Sequence, residues 1–157
     1  MTTPPRTQAP IRHTVTVPLD RAAAFDLFTA GFDRWWPREH HIGEPEMDKA
    51  IIEPFAGGRV YEIGVDGSEC QWGTVTAWDP PSGFTAAWQL TAQWTFDPDL
   101  SRASEYEVTF TEVDAGTEVV VEHRHLERHG EQAAAIDAAV NGPGGWPDLI
   151  KIYAGLA

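Results

Sequence analysis

The chain has 157 residues, is 42% hydrophobic and 11% aromatic, and sets 11 basic against 24 acidic side chains for a net charge of −13. That length suits one folded domain with a sizeable core, and the composition excludes disorder. The charge repels nucleic acid and anionic membranes, so neither is expected as a partner. The lone Cys70 rules out an internal disulfide and suits a reducing compartment. The first twenty residues lack the apolar stretch of a secretory signal, and no run reaches the roughly 18 apolar residues of a membrane span. A cytoplasmic location is expected.

Residues 1–10, rich in proline and threonine, read as a flexible tail ahead of a single domain over 11–157. Residues 11–17 alternate Ile11, His13, Val15 and Val17 against Arg12, Thr14 and Thr16, the period of a strand. Asp20 suits the N-cap of a helix over 21–30, with Ala24, Phe25 and Phe28 on its apolar face, and Gly31 breaks it. A second short helix is expected from Phe32 to Pro37, then a polar loop over 38–46. Strands follow over 47–54, 59–65, 69–78, 84–90, 103–113 and 117–126, separated by turn signals such as Asp66-Gly67 and Asp114-Ala115-Gly116. Successive strands joined by tight turns imply an antiparallel meander.

On this reading Tyr106, Val108 and Phe110 share one strand face, while Glu105 and Glu107 point to water. Val119 and Val121 share a face with His123 and His125, and Phe84, Ala86 and Trp88 with Leu90. Over 59–65 and 70–78 the alternation is ambiguous. Residues 130–140 read as helix, with Ala133, Ile136 and Val140 on one side. After a glycine- and proline-rich break, Trp146, Leu149, Ile150 and Tyr153 recur at helical spacing with Leu156 beside them, and Pro147 suits the first turn. Such a stripe must be buried, and a sheet is the available partner. The expected class is α+β: a curved antiparallel sheet of about six or seven strands around a C-terminal helix, with two short helices after the first strand.

The run GGRVYEIGVDGSECQWGTVTAWDPP (57–81), Trp35-Trp36-Pro37, Glu53-Pro54, Glu122-His123-Arg124 and Gly144-Gly145-Trp146 occur in an order that resembles the START-like, helix-grip superfamily. More closely, the chain resembles bacterial homologues of the C-terminal domain of the activator of the heat-shock-protein ATPase. The resemblance covers about residues 11–157 and implies the helix-grip fold. That fold hosts ligand carriers, cyclases, hydratases and chaperone cofactors alike, so it does not fix the chemistry.

The histidines His123 and His125 could share a strand face and hold a metal with Cys70 or a carboxylate, but no CxxC or HExxH spacing supports this, so neither metal nor cofactor is expected. Glu62 and Glu122 are the carboxylates to inspect, because one inside an apolar cavity would act as a general acid or base; the alternative is a solvent-facing strand residue. Seven tryptophans are the strongest signal, with four or five expected in the core and two or three facing a cavity. If the sheet grips the helix as the resemblance implies, Trp35, Tyr61, Trp88, His123 and Trp146 bound a pocket for a small hydrophobic molecule, with Glu62 beside it and Trp35 and Trp36 at its mouth. An enzyme of the same fold using a pocket glutamate or histidine, and a chaperone-type module with a protein partner or homodimer, are the alternatives.

Overall fold

Seven strands form one antiparallel sheet in a computed structural model that describes residues 10–157. They are β1 (Ile11–Val17), β2 (Met47–Ile52), β3 (Arg59–Gly64), β4 (Glu69–Asp79), β5 (Gly83–Trp88), β6 (Ser104–Val113) and β7 (Gly116–Arg124). Their spatial order is β1-β7-β6-β5-β4-β3-β2: a meander from β2 to β7, with β1 added along β7. Apart from Pro10, the tail expected over 1–10 lies outside the described residues.

The sheet curls because its β2–β3, β3–β4 and β4–β5 ladders each shift register. An extra residue on one strand bends that strand and increases its twist. At β3–β4, Val60 faces Gly73 but Tyr61 faces Gln71, so Trp72 is the extra residue. This explains why simple alternation failed over 59–65 and 70–78. On the regular strands it holds: Tyr106, Val108, Phe110, Val119, Val121 and His123 are all buried. Glu105, Glu107 and Glu122 lie on the other face, where Arg124 donates to all three.

Helix α1 (Arg21–Phe28) starts at Asp20, whose carboxylate accepts from the Ala23 amide at 2.8 Å. It buries Ala24, Phe25, Leu27 and Phe28. Helix α2 is shorter than expected, Phe32–Trp35, because the chain is already extended at Trp36 ahead of Pro37. The Asp33 carboxylate ties it to the sheet by accepting from the Ala50 amide of β2. Helix α3 (Ala133–Asn141) follows a 3-10 segment, and a break over 142–145 separates it from α4 (Trp146–Leu156). Trp146, Leu149, Ile150 and Tyr153 are buried as the stripe predicted, but Leu156 is 46% exposed because it lies beyond the last turn that meets the core. The Tyr153 hydroxyl donates to the Ala24 carbonyl at 2.8 Å and locks α4 onto α1.

Eleven residues make α4, roughly 16 Å of helix, against a sheet roughly 29 Å wide at the usual strand spacing. The helix cannot cover the whole concave face.

Candidate functional site

The uncovered part of the concave face is a cavity of about 240 Å³. Its walls include Trp36 after α2, Trp72 on β4, Trp88 on β5, Tyr106 on β6 and Trp146 at the start of α4. Trp94 stands at the rim, half-exposed and in the left-handed backbone region at φ 60°, an uncommon conformation for a bulky residue. Glu39, His40, His41 and Ile42 contribute a polar edge from the loop before β2. Gly73 admits the closest backbone approach: a Cβ there would lie 2.0 Å from the Ala87 carbonyl oxygen.

Of the residues expected to bound a pocket, Trp88 and Trp146 line the cavity, and Trp35, Tyr61, Glu62 and His123 do not. Trp35 is core, 2% exposed and packed among Phe28, Phe32 and Tyr153; the chain turns extended at the next residue, so Trp36 takes the wall position. Tyr61 falls on the opposite sheet face, because the β3 residues on either side of it, Val60 and Glu62, point inward. Its ring lies under the Arg59 guanidinium at 4.0 Å. Five tryptophans line the cavity (36, 72, 88, 94 and 146), more than the two or three expected, while Trp35 and Trp78 do not.

Glu62 is neither solvent-facing nor a free acid. It is 1% exposed, and its carboxylate accepts from Trp72 Nε1 at 2.9 Å, the Ile42 amide at 2.6 Å and the Gly43 amide at 3.2 Å. Three N–H donors satisfy the buried charge and pin both the 42–43 strap and the Trp72 ring to the cavity wall. Cys70 is close by; burial, then the charges of Glu62 and Asp66, push its thiol up, the reverse of an activated nucleophile.

His123 lies behind the cavity wall in a chain of hydrogen bonds. Trp146 Nε1–H donates to its Nδ1 at 3.0 Å, which leaves the ring hydrogen on Nε2. That Nε2–H donates to Ser104 Oγ at 2.7 Å, and the Ser104 hydroxyl donates onward to His129 Nε2 at 2.7 Å. Burial first, then the nearby His129, pushes His123 down to about 3, so its imidazole stays neutral. The chain sets the plane of the Trp146 indole, and its far end opens on a second, smaller cavity with Asp97, Arg102 and Gln132. His125 does not share the His123 face: the chain leaves β7 at Arg124, and His125 turns through φ 62° so that its ring meets Glu105 and Glu127. Among the described residues no three His, Cys, Asp or Glu side chains are arranged to hold a metal.

His40 completes the rim. Its Nε2–H donates to the Gly144 carbonyl at 2.9 Å, and its Nδ1 is buried without a partner. Sequence reasoning put Trp36 with Trp35 at the pocket mouth, but did not single out Trp72, His40 or Tyr106 for the site. Tyr106 was legible as inward-facing, but nothing in the alternation separates a cavity wall from a packed core.

A curled antiparallel sheet closed by a C-terminal helix, with an aromatic cavity between them, defines a helix-grip domain. The chain belongs to the family of activator of Hsp90 ATPase homolog 1-like proteins, whose model matches residues 19–152. Among solved structures it is similar to an anthrahydroquino-gamma-pyrone synthase, Txn09, at 35% identity over 98% of this chain and 99% of that chain, with a TM-score of 0.67. It is also similar to CalC from Micromonospora echinospora, a self-sacrificing resistance protein, at 34% identity over 94% of this chain and 92% of that chain, with a TM-score of 0.68. Protein NE0264 from Nitrosomonas europaea shares the fold at 11% identity, with 94% and 92% of the chains covered and a TM-score of 0.65. No curated protein matches the chain.

Proposed function

We propose that this chain binds a flat, hydrophobic aromatic molecule in the cavity between the sheet and α4. The observation that carries this reading is a cavity of about 240 Å³ walled by five indoles and a phenol. It is larger than the roughly 150 Å³ apolar cavity that takes up benzene. Indole faces stack on flat rings and lose little conformational entropy in doing so. The similarity to Txn09 supports the reading, since that protein is named for a fused aromatic product. An open cavity also weighs against a module that acts only through a protein partner, for which a filled core and an exposed apolar patch are the expected form.

Catalysis on such a molecule is the second reading, favoured by the 35% identity to a synthase. It does not run through a glutamate–histidine pair, because the hydrogen bonds of Glu62 and His123 go to separate partners.

Titration with a flat aromatic dye is the test. Saturable quenching of tryptophan fluorescence is expected, and Trp88→Ala should weaken binding about tenfold, in the range for losing one stacked ring from a buried contact. Absence of saturable binding by any flat aromatic would refute the proposal. Native mass spectrometry of the purified protein would identify a co-purifying ligand, and a mass change in that ligand on incubation would establish catalysis.

A further inference from the structure

The N–H groups on the cavity wall are mostly committed. Trp36 Nε1 donates to the His40 carbonyl, Trp72 Nε1 to Glu62 and Trp146 Nε1 to His123. His40 and His41 each spend a ring nitrogen on a backbone carbonyl, of Gly144 and Gly43. Trp88 and Trp94 are partly exposed. Tyr106 differs from all of these. It is only 6% exposed, lines the cavity, and its hydroxyl has no hydrogen-bond partner among the described residues. Its ring is fixed on several sides: Trp146 at 5.1 Å, His123 at 6.1 Å, Phe84 at 6.3 Å and Trp88 at 6.4 Å between centroids.

The hydroxyl oxygen opens on the cavity, since the fully buried side-chain atoms left unpaired among the described residues are Arg21 Nε and His40 Nδ1. A ligand that covered it without offering an acceptor would lose roughly 1–3 kcal/mol. Resting on the aromatic-ligand reading above, we infer that Tyr106 is the specificity-determining donor of the cavity: its hydroxyl donates to a neutral carbonyl oxygen carried by the ligand's ring system, as in an aryl ketone or quinone. Three features fix the class. The hydroxyl stays protonated, since burial raises its pKa, so it offers a hydrogen and not a charge. Among the described residues no lysine or arginine lines the cavity, so a ligand carboxylate would lose its hydration with no ammonium or guanidinium to replace it. The rings around Tyr106 confine the acceptor to a planar frame.

A matched pair of probes tests this: 9-fluorenone and fluorene, which share one flat tricyclic skeleton and differ by the carbonyl. Equilibrium dialysis should show the wild-type protein binding fluorenone about tenfold more tightly than fluorene, the effect of one buried hydrogen bond whose partner would otherwise go unpaired. The infrared carbonyl stretch of bound fluorenone should move to lower wavenumber. In Tyr106→Phe, which keeps the ring and removes only the hydroxyl, the affinity ratio should fall to about one. The stretch should return to its value in an apolar solvent, with fluorene binding unchanged. Equal affinities in the wild type, or a ratio and stretch that survive in Tyr106→Phe, would overturn the inference while leaving the aromatic cavity standing. Binding of neither probe would overturn the cavity reading and this inference with it. The wild-type comparison decides the matter by itself should the variant fold poorly.

Discussion

The two ends of the concave face are built from the same kind of residue and behave differently. At one end Phe25, Trp35, Phe84, Phe110 and Tyr153 meet in a closed cluster, with Phe25 at 5.2 Å from Phe110 and Trp35 at 5.7 Å from Tyr153. At the other, Trp36, Trp72, Trp88, Tyr106 and Trp146 also touch in pairs, but the pairs surround a cavity. The difference lies in what backs them. Helix α1 lies over β6 and β7 at the first end and is joined to α4 by the Tyr153–Ala24 hydrogen bond. Over the second, Gly144 and Gly145 of the break between α3 and α4 line the cavity and supply backbone but no side chain to fill the space. Aromatic content alone does not make a pocket; a missing layer of side chains above the rings does.

Substitutions at the two ends should separate these roles. Phe110→Ala, at a residue 2% exposed, should cost roughly 3–5 kcal/mol in urea denaturation. Trp94→Ala, at a residue 48% exposed on the cavity rim, should cost less than about 1 kcal/mol. Comparable losses at both sites would erase the distinction.

A smaller effect is expected where the wall is tied to its support. Glu62→Ala strands three N–H groups, on Ile42, Gly43 and Trp72, and should lose roughly 1–3 kcal/mol. It should also weaken dye binding, because the Trp72 ring and the 42–43 strap are freed together. Unchanged affinity in a destabilised variant would show that Glu62 serves only the fold.

The last effect is absent at neutral pH and appears only as a slope on acidification. His123 is held neutral, its pKa pushed from 6.5 down to about 3 in the folded protein. Below the unfolded value, the unfolded chain takes up a proton that the folded chain refuses. Stability is therefore fully present above pH 6.5 and drains away as pH falls toward about 3, by up to about 1.4 kcal/mol per pH unit. His123→Gln removes this titration and should show a shallower acid slope than the wild type in urea denaturation at successive pH values. Identical slopes would mean that other groups carry the acid sensitivity. Asp97, held down to about 2 by the Arg102 guanidinium, adds to the acid loss in both proteins and cancels in the comparison.

Much of the architecture was legible from local chemistry. Asp20 as a cap, Pro147 in the first turn of α4, the Asp66-Gly67 turn and the 146–153 stripe each act through neighbours in sequence, so each could be read from sequence. Alternation gave the inward faces of β6 and β7 for the same reason. The site depended on longer-range facts. A bulge at Trp72 sent that ring inward beside Glu62, and the single turn of α2 put Trp35 in the core and Trp36 on the wall. Tyr61 went to the outer face, and His123, which alternation correctly turned inward, ended behind the cavity because Trp146 and Tyr106 stand in front of it. Sequence by itself determined which residues form strands and helices and which faces are apolar, because backbone capping and side-chain period are local. Only the tertiary structure decided which apolar residues enclose space, because a cavity is defined by the absence of a partner that lies far away along the chain.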